Sequence, residues 1–441
     1  MIPQEVRTLL ARLESAGHQA WAVGGCVRDT LRRAAPSDWD VTTDARPEQI
    51  MALFGQAAIP TGLKHGTVTV RTGETRVEVT TFRRDGTYSD HRRPDAVRFS
   101  TSLEEDLARR DLTVNAMAMD LRGHICDPFG GQEDLSRRVL RCMGEPMRRL
   151  DEDALRIMRT LRFAAVLSFA IEPETAAALH RCAPLLADIA AERILVEMDK
   201  LLAGQDMASV LLAFPDVIGV FLPEIRPCVG FDQRNKHHCY DVWEHSVRAA
   251  EAIAPDAVLR WAMLLHDIGK PDCFTEDEQG VGHFYGHPAR SAELAEAICR
   301  RMRMDKKSAQ RIVTLVQWHD RDIPRTEKAV ARAARQLGEE TLRQLLAVKR
   351  ADNRAQSPLC RGRAAELDKA EAILDELVAR QSCFSLRDLA VRGSDLTALG
   401  LHGPAVGETL QRLLDAVMDG EAPNEKESLL RLVTSDLKHE P

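Results

Sequence analysis

The chain has 441 residues, with 60 Lys plus Arg against 67 Asp plus Glu for a formal charge of -7, and is 44% hydrophobic and 29% charged. Such a chain is long enough for about three domains, and its balance excludes a disordered polymer or a protein that coats nucleic acid through net positive charge. The opening MIPQEVRTLLARLESAG carries acids and no apolar leader segment, and no run of about eighteen apolar residues occurs, so the expected location is cytoplasmic, with no membrane partner.

In chain order, Val6, Leu9, Leu10 and Leu13 predict an opening helix, and the alternating runs WAV, WDVTT, TVTVRT, RVEVTTF and AMAMDL predict strands of one sheet with helices between them. From about residue 141 nearly every segment has helical spacing, with breaks expected near 221 to 235 and in ADNRAQSPLCRGR, 351 to 363. Between Arg137 and Arg162 eight Arg face four acids, either an RNA-facing stripe or a solvated helix face. The ten Cys include no C-x-x-C pair, which argues against a disulfide framework and a zinc ribbon.

Chemistry first enters at Gly24-Gly25-Cys26-Val27-Arg28-Asp29, where a glycine pair separates a short apolar strand from a helical run. Glycine lets backbone N–H groups approach a phosphate, and Arg28 offers a fork of donors, although a strand-to-helix turn needs no ligand. Ten residues on, Asp38-Trp39-Asp40 places two carboxylates at i and i+2 of a predicted strand, on one face, where they repel unless a cation lies between them. Mg²⁺ takes carboxylate and phosphate oxygens together, as two-metal nucleotidyl transfer requires. Glu78, in an alternating strand, is the third candidate carboxylate; an exposed strand face bearing acids would carry the same residues.

In order, GGCVRD, DWDVTT, the stretch RRDGTYSDHRRPDAVRFSTSLEEDLARRDLTVNAMAMD and DEDALRIMRTLRFAA closely resemble the bacterial class of the tRNA nucleotidyltransferase and poly(A) polymerase family, over most of the first 225 residues. The resemblance implies an α+β multidomain protein, with a nucleotidyltransferase head of the DNA polymerase beta superfamily type and a mixed sheet. An all-α neck, body, HD region and tail would follow. It makes Asp38 and Asp40 the Mg²⁺ ligands, and Gly24, Gly25 and Arg28 phosphate contacts. Arg109, Arg110, Asp111 and Asn115 match the family's RRD-x-T-x-N-A segment near nucleotide and primer, with Leu112 in place of the usual Phe.

The polar stretch Asp85–Pro94 is expected to be a mobile loop, which in related enzymes is associated with the switch from C to A addition. Glu152, Asp153 and Arg156 fall in a helical window, where Asp153 and Arg156, three apart, would share a face as an intrahelical ion pair. The resemblance gives Asp153 and Arg156 another role, a protein template reading CTP and ATP, with Arg159 beside them at the nucleotide. A carboxylate accepts from the exocyclic amine common to cytosine and adenine, while a guanidinium donates to acceptors on the same edges.

A second constellation comprises His245, His266-Asp267, His283, His287, His319 and Asp352. Its order resembles the HD phosphohydrolase superfamily, which implies that His245, His266, Asp267 and Asp352 hold a divalent metal, with His287 and His319 completing a second position. The donor mixture suits Mg²⁺ or a divalent transition metal, and bound water at such a centre hydrolyses phosphoesters. The tail from about 386, with Gly393, Gly400, Gly403 and Gly407 between amphipathic runs, is expected to support RNA.

The expected segments are a head over 1–140, a neck and body with the base-reading helix over 141–225, an HD domain over 226–355 and a helical tail over 356–441. The implied activity is template-independent addition of CMP, CMP and AMP from CTP and ATP to the tRNA 3′ end. A poly(A) polymerase or A-adding enzyme shares the same head. A metal-dependent HD phosphohydrolase whose head only grips RNA, and a catalytically silent RNA-binding protein, are the alternatives of other classes.

Overall fold

The opening helix, Gln4–Ser15, buries Val6, Leu9, Leu10 and Leu13, the i, i+3, i+4, i+7 stripe of a helix laid on a core. This computed structural model describes residues 2–85, 97–323, 325–379, 386–418 and 421–436. The strands that follow are β1 (Ala20–Val23), β2 (Asp40–Thr43), β3 (Ala58–Gly62), β4 (Thr67–Thr72), β5 (Thr75–Thr81), β6 (Arg83–Asp85), β7 (Val97–Phe99), β8 (Ala118–Met119) and β9 (Ile125–Cys126).

Seven of them form one sheet in the order β3-β4-β5-β2-β1-β8-β9. Only β2 and β5 run parallel, with Asp40 opposite Glu78; the other neighbours are antiparallel, so the sheet is mixed as expected. Alternation along β5 buries Val77 and Val79 and leaves Glu78 exposed. These valines join Val6, Leu10, Val27, Ile50 and Val68 in the head's core. β6 and β7 form a separate antiparallel pair. Of the stretch Asp85–Pro94, residues 86–94 lie outside the described residues.

Two local expectations about the sheet need correction. Strand β2 starts at Asp40, so Asp38 precedes it instead of sharing its face by strand alternation. AMAMDL contributes only the two residues of β8, because a tight turn over Thr113–Asn115 leads directly into it.

Beyond residue 141 helices dominate, apart from Ala170–Ile171, parallel to Val139–Leu140, and the pair Thr275–Glu276 and Gly282–His283. The expected helical window around Glu152 is broken. Helix Pro146–Glu152 ends at Asp153, whose backbone is extended (φ −143°, ψ 102°), and a second helix, Leu155–Leu167, follows. The Asp153 carboxylate accepts from Leu155 N at 3.1 Å, the local bond by which Asp competes with helix continuation.

The break expected from 351 is also displaced. Helix Glu339–Ala355 runs on because Ala351, Asn353 and Ala355 are buried, and the chain turns only at Gln356 before a short 3-10 turn, Pro358–Arg363. The expected break near 221 to 235 is present as the 3-10 turn Pro223–Cys228 and irregular chain after it.

The chain divides into two compact units. One is Met1–Arg226 with Arg301–Arg303, and the other is Pro227–Arg300 with Met304–Pro441. In the second, helices Val242–Glu251, Ala257–Leu265, Lys306–Trp318 and Glu339–Ala355 pack on one another. Leu389, Val391, Leu396, Leu413, Leu414 and Leu429 form a small core of their own further along.

Candidate functional site

A cleft of about 610 Å³ in the first unit gathers Gly24, Gly25, Arg28, Asp38, Asp40, Arg109, Arg110, Asp111, Asn115, Asp153, Arg156 and Arg159. Every residue expected at the nucleotide site therefore lines one space, except Glu78, which stands opposite Asp40 on the neighbouring strand and is exposed. The cleft also holds Asp29, Arg162, Phe163 and Lys200, which the motifs did not single out.

Gly24 precedes helix Gly25–Leu31 with φ +80°, a backbone conformation that favours glycine, and a Cβ there would come within 2.8 Å of Arg110 Nη1 and displace that side chain. Burial raises Asp40 to about 6, Arg110 opposes that shift, and Asp38 and Glu78 add to it by repulsion. Crowded carboxylates of this kind are the donor set that a hard divalent cation neutralises, so the residues present fit Mg²⁺.

The cationic side of the cleft is fixed from beneath. Asp106 is fully buried, and accepts from Arg109 Nε at 2.9 Å and Thr42 Oγ1 at 3.1 Å, with Arg110 Nη2 at 3.6 Å. Burial alone would raise its pKa, but Arg109 and Arg110 bring it below the ordinary value. Burial likewise lowers Arg110, and Asp106 opposes that. Asp106 precedes these arginines by three and four residues, a helical spacing that was legible and missed.

Asp111 accepts from Asn115 Nδ2 at 3.0 Å and from Arg159 at 2.8 and 2.6 Å, and Asn115 Oδ1 in turn accepts from Arg28 Nη1 at 2.6 Å. Against its burial, Arg159 and the Asn115 bond hold Asp111 well below the usual carboxylate range. Phe163 sits under three guanidinium groups, those of Arg28, Arg159 and Arg162, at 5.0, 5.7 and 4.0 Å.

Asp153 and Arg156 both line the cleft but do not form the ion pair expected from their spacing. Arg156 Nη1 instead bonds Glu152 Oε2 and the Arg149 carbonyl, each at 2.8 Å, and its Nη2 bonds the Arg109 carbonyl at 3.1 Å. Asp153 faces Arg193 at 3.7 Å; its burial raises its pKa, with Arg193 opposing.

The second unit assembles His245, His266, Asp267, His287, His319 and Asp352. Asp267 Oδ2 lies 3.3 and 3.2 Å from Nε2 of His245 and His266, and its Oδ1 lies 3.3 and 3.5 Å from Nε2 of His287 and His319. Asp352 Oδ1 is 3.0 Å from His245 Nε2. Nδ1 of His266, His287 and His319 reaches the carbonyl three residues back, of Met263, Phe284 and Val316, and Nδ1 of His245 reaches that of Ala355.

A carbonyl only accepts, so each Nδ1 carries a proton, and Nε2 is the ring nitrogen that faces the carboxylates, the atom a metal would take once it has lost its own proton. Two overlapping groups result, His245-His266-Asp267 and Asp267-His287-His319, with Asp267 common to both, and the donors fit divalent metal. Despite the opposing effect of burial, Asp267 and Asp352 push His266 up to about 10, in keeping with a centre that demands positive charge.

Lys270 Nζ bonds Asp267 Oδ2 and the buried Gln233 Oε1, each at 2.7 Å, and Gln356 Nε2 bonds Asp352 at 3.2 Å. None of these three was anticipated, although Lys270 follows Asp267 by one helical turn. His283 stands apart from the ligand groups, paired with Asp277.

Residues 20–141 match the poly A polymerase head domain, 168–225 the probable RNA and SrmB-binding site of polymerase A, and 236–356 the HD domain. The CCA-adding enzyme of Geobacillus kaustophilus (strain HTA426) is 36% identical over 96% of this chain and 94% of its own. The chain belongs to the CCA-adding enzyme family.

A second member of that family, from Limosilactobacillus fermentum (strain NBRC 3956 / LMG 18251), is 33% identical over 99% of this chain and 97% of its own. Among solved structures, the Bacillus stearothermophilus CCA-adding enzyme in complex with CTP superposes with a TM-score of 0.72 at 31% identity, covering 99% of this chain and all of that one. The protein is therefore a nucleotidyltransferase, with a mixed-sheet head followed by helical regions that include an HD domain.

Proposed function

We propose that the chain adds CMP, CMP and AMP in order to the 3′ end of tRNA, using CTP and ATP without a nucleic-acid template. The observation that carries this reading is the single cleft in which Asp38 and Asp40 share walls with Gly24, Gly25 and Arg28 and with Asp153 and Arg156. The relative solved with CTP supports a nucleotide in that space.

In this reading Asp38 and Asp40, assisted by Glu78, hold Mg²⁺, which when bound neutralises phosphate charge and favours ionisation of the attacking hydroxyl. The chain's own part is positioning. Gly24 and Gly25 let the backbone approach the triphosphate, and Arg28 and Arg110 balance its charge beside the carboxylates. Asp153 accepts from the exocyclic amine of C or A, while Arg156, held by Glu152, donates to the same edge. The primer's 3′-oxygen bonds to the α-phosphorus, the bond to the pyrophosphate leaving group breaks, and the hydroxyl proton passes to solvent.

The four-segment division given above is part of the same proposal, with the tail supporting RNA. Among the described residues no helix is long and apolar enough to cross a membrane, and we place the enzyme in the cytoplasm with its tRNA substrate. For the second centre, the fixed imidazoles and the shared Asp267 support metal-dependent phosphoester hydrolysis. The donor mixture there suits Mn²⁺, Fe²⁺, Ni²⁺, Co²⁺, Zn²⁺ or Mg²⁺, and activity restored by each ion to metal-free protein identifies which one it uses.

The deciding experiment incubates the protein and Mg²⁺ with tRNA transcripts ending before CCA, after C and after CC, supplies CTP and ATP separately and together, and sequences the 3′ ends. Ordered addition that stops at CCA is expected. Addition of A alone, or runs of A on unrelated RNA, would transfer the protein to the poly(A) or A-adding class.

A further inference from the structure

Among the described residues that line the nucleotide cleft, Phe163 alone is aromatic, and its side chain is nearly buried. Arginines from two elements gather around it. Arg159 stands one helical turn earlier on helix Leu155–Leu167, Arg162 is its neighbour in sequence, and Arg28 reaches it from helix Gly25–Leu31. Arg162 lies closest, with its guanidinium carbon 4.0 Å from the ring centroid, near van der Waals contact.

Each guanidinium is also held by a different carboxylate. Asp29 accepts from Arg28 Nε at 3.0 Å and Nη2 at 2.8 Å, Asp111 faces Arg159 Nη2 at 2.6 Å, and the buried Glu197 faces Arg162 Nε at 2.9 Å. These pairs fix where the three cations sit, but the cations still repel one another. Burial lowers the pKa of Arg162, Glu197 opposes that, and the charges of Arg159 and Arg28 lower it further.

A further carboxylate in their midst would relieve this repulsion and would also turn away an entering polyphosphate. An aromatic ring relieves it differently, because the negative face of its quadrupole attracts cations while the side chain carries no net charge. The positive field of the cleft is then kept for an anion.

We propose that Phe163 is a positioning residue whose ring gathers Arg28, Arg159 and Arg162 into one cradle for the triphosphate of the incoming nucleotide, whichever base it carries. This rests on the nucleotidyl-transfer reading given above. That reading leaves the base edge to Asp153 and Arg156, so CTP and ATP should depend on the ring equally.

The test uses the full-length protein and compares the parent with Phe163→Leu and Phe163→Tyr, and with protein in which mono-, di- and trifluorinated phenylalanine replaces Phe163 at nearly constant volume. Fluorine withdraws charge from the ring face, so a packing role is indifferent to it and a cation-gathering role is not. Inorganic tripolyphosphate is the probe for the cradle, with cytidine as the control.

Tripolyphosphate affinity, read by calorimetry, should fall stepwise along the fluorinated series and by about tenfold in Phe163→Leu, while cytidine affinity holds. A loss that follows the residue at 163 excludes binding in the second unit. With Mg²⁺ and tRNA supplied, KM for CTP and for ATP should rise by the same factor with little change in kcat, and Phe163→Tyr should restore the parental values.

Tripolyphosphate affinity that stays flat along the fluorinated series, or an equal loss of cytidine, overturns the proposal. Normal CCA addition with a flat series would sink the cradle alone, whereas a fluorine-dependent loss in a protein that adds no nucleotide to tRNA would keep the cradle and sink the transfer reading.

Discussion

Asp111 grips Arg159, 48 residues further along the chain, through two bonds of 2.8 and 2.6 Å, and so ties the head's RRD segment to the helix that follows Asp153. Asp111 is 7% exposed, and its replacement leaves a guanidinium without its charge partner. Asp111→Asn should therefore cost about 3 kcal/mol of stability, read from thermal or urea unfolding. A variant as stable as the parent would show that Asn115 and solvent suffice to hold Arg159.

The same pair sets an acid limit. The folded pKa of Asp111 is depressed, so its contribution is complete above its unfolded value of about 3.9 and is lost as pH falls through the lower folded value. The stability gap between parent and Asp111→Asn should be constant from about pH 5 upward and close below about pH 4. A gap that instead widens in acid would contradict this assignment.

For transfer itself, Asp40→Ala should reduce nucleotide addition by about 10³-fold or more, since several kcal/mol of charge stabilisation are removed. Hydrolysis at the second centre should be untouched. Conversely, His266→Ala combined with Asp267→Ala should abolish hydrolysis and leave CCA addition near the parental rate. If both activities fell together in either variant, the two units would not be chemically independent.

Metal removal should be visible without any substrate. A divalent ion at about one hundred times its Kd stabilises the folded state by about 2.7 kcal/mol, so chelation should lower the unfolding temperature of the unit that holds the His and Asp centre. Because His266 is pushed up to about 10, metal uptake near neutral pH should release protons and tighten as pH rises. A titration in two buffers of different ionisation heat measures that release directly.

Much of this was legible in the chain. The stripe of Val6, Leu9, Leu10 and Leu13 and the alternation of TVTVRT and RVEVTTF fix local structure through periodicity alone, and the structure follows them. Ordered motifs also brought most of the cleft residues together. What was not legible depends on partners distant in sequence or on one local bond. The spacing of Asp106 from Arg109 and Arg110 was open to reading, but its bond to Thr42, 64 residues earlier, was not. Asp153 leaves the helix through a bond to Leu155 N, which periodicity cannot register. The helix through Ala355 persists because tertiary burial outweighs a polar composition.

Glu152 is engaged by Arg148, Arg149 and Arg156 at 3.6, 2.9 and 2.8 Å, and Arg156 is further tied to two carbonyls. Its guanidinium is therefore a fixed jig with no rotamer left to choose. In the proposed reading, discrimination between a pyrimidine and a purine then falls to the extended residue beside it, since small turns about the Asp153 backbone would move the accepting carboxylate relative to a stationary donor. Substitutions that stiffen or loosen that joint should change the order of bases without changing the chemistry of their joining.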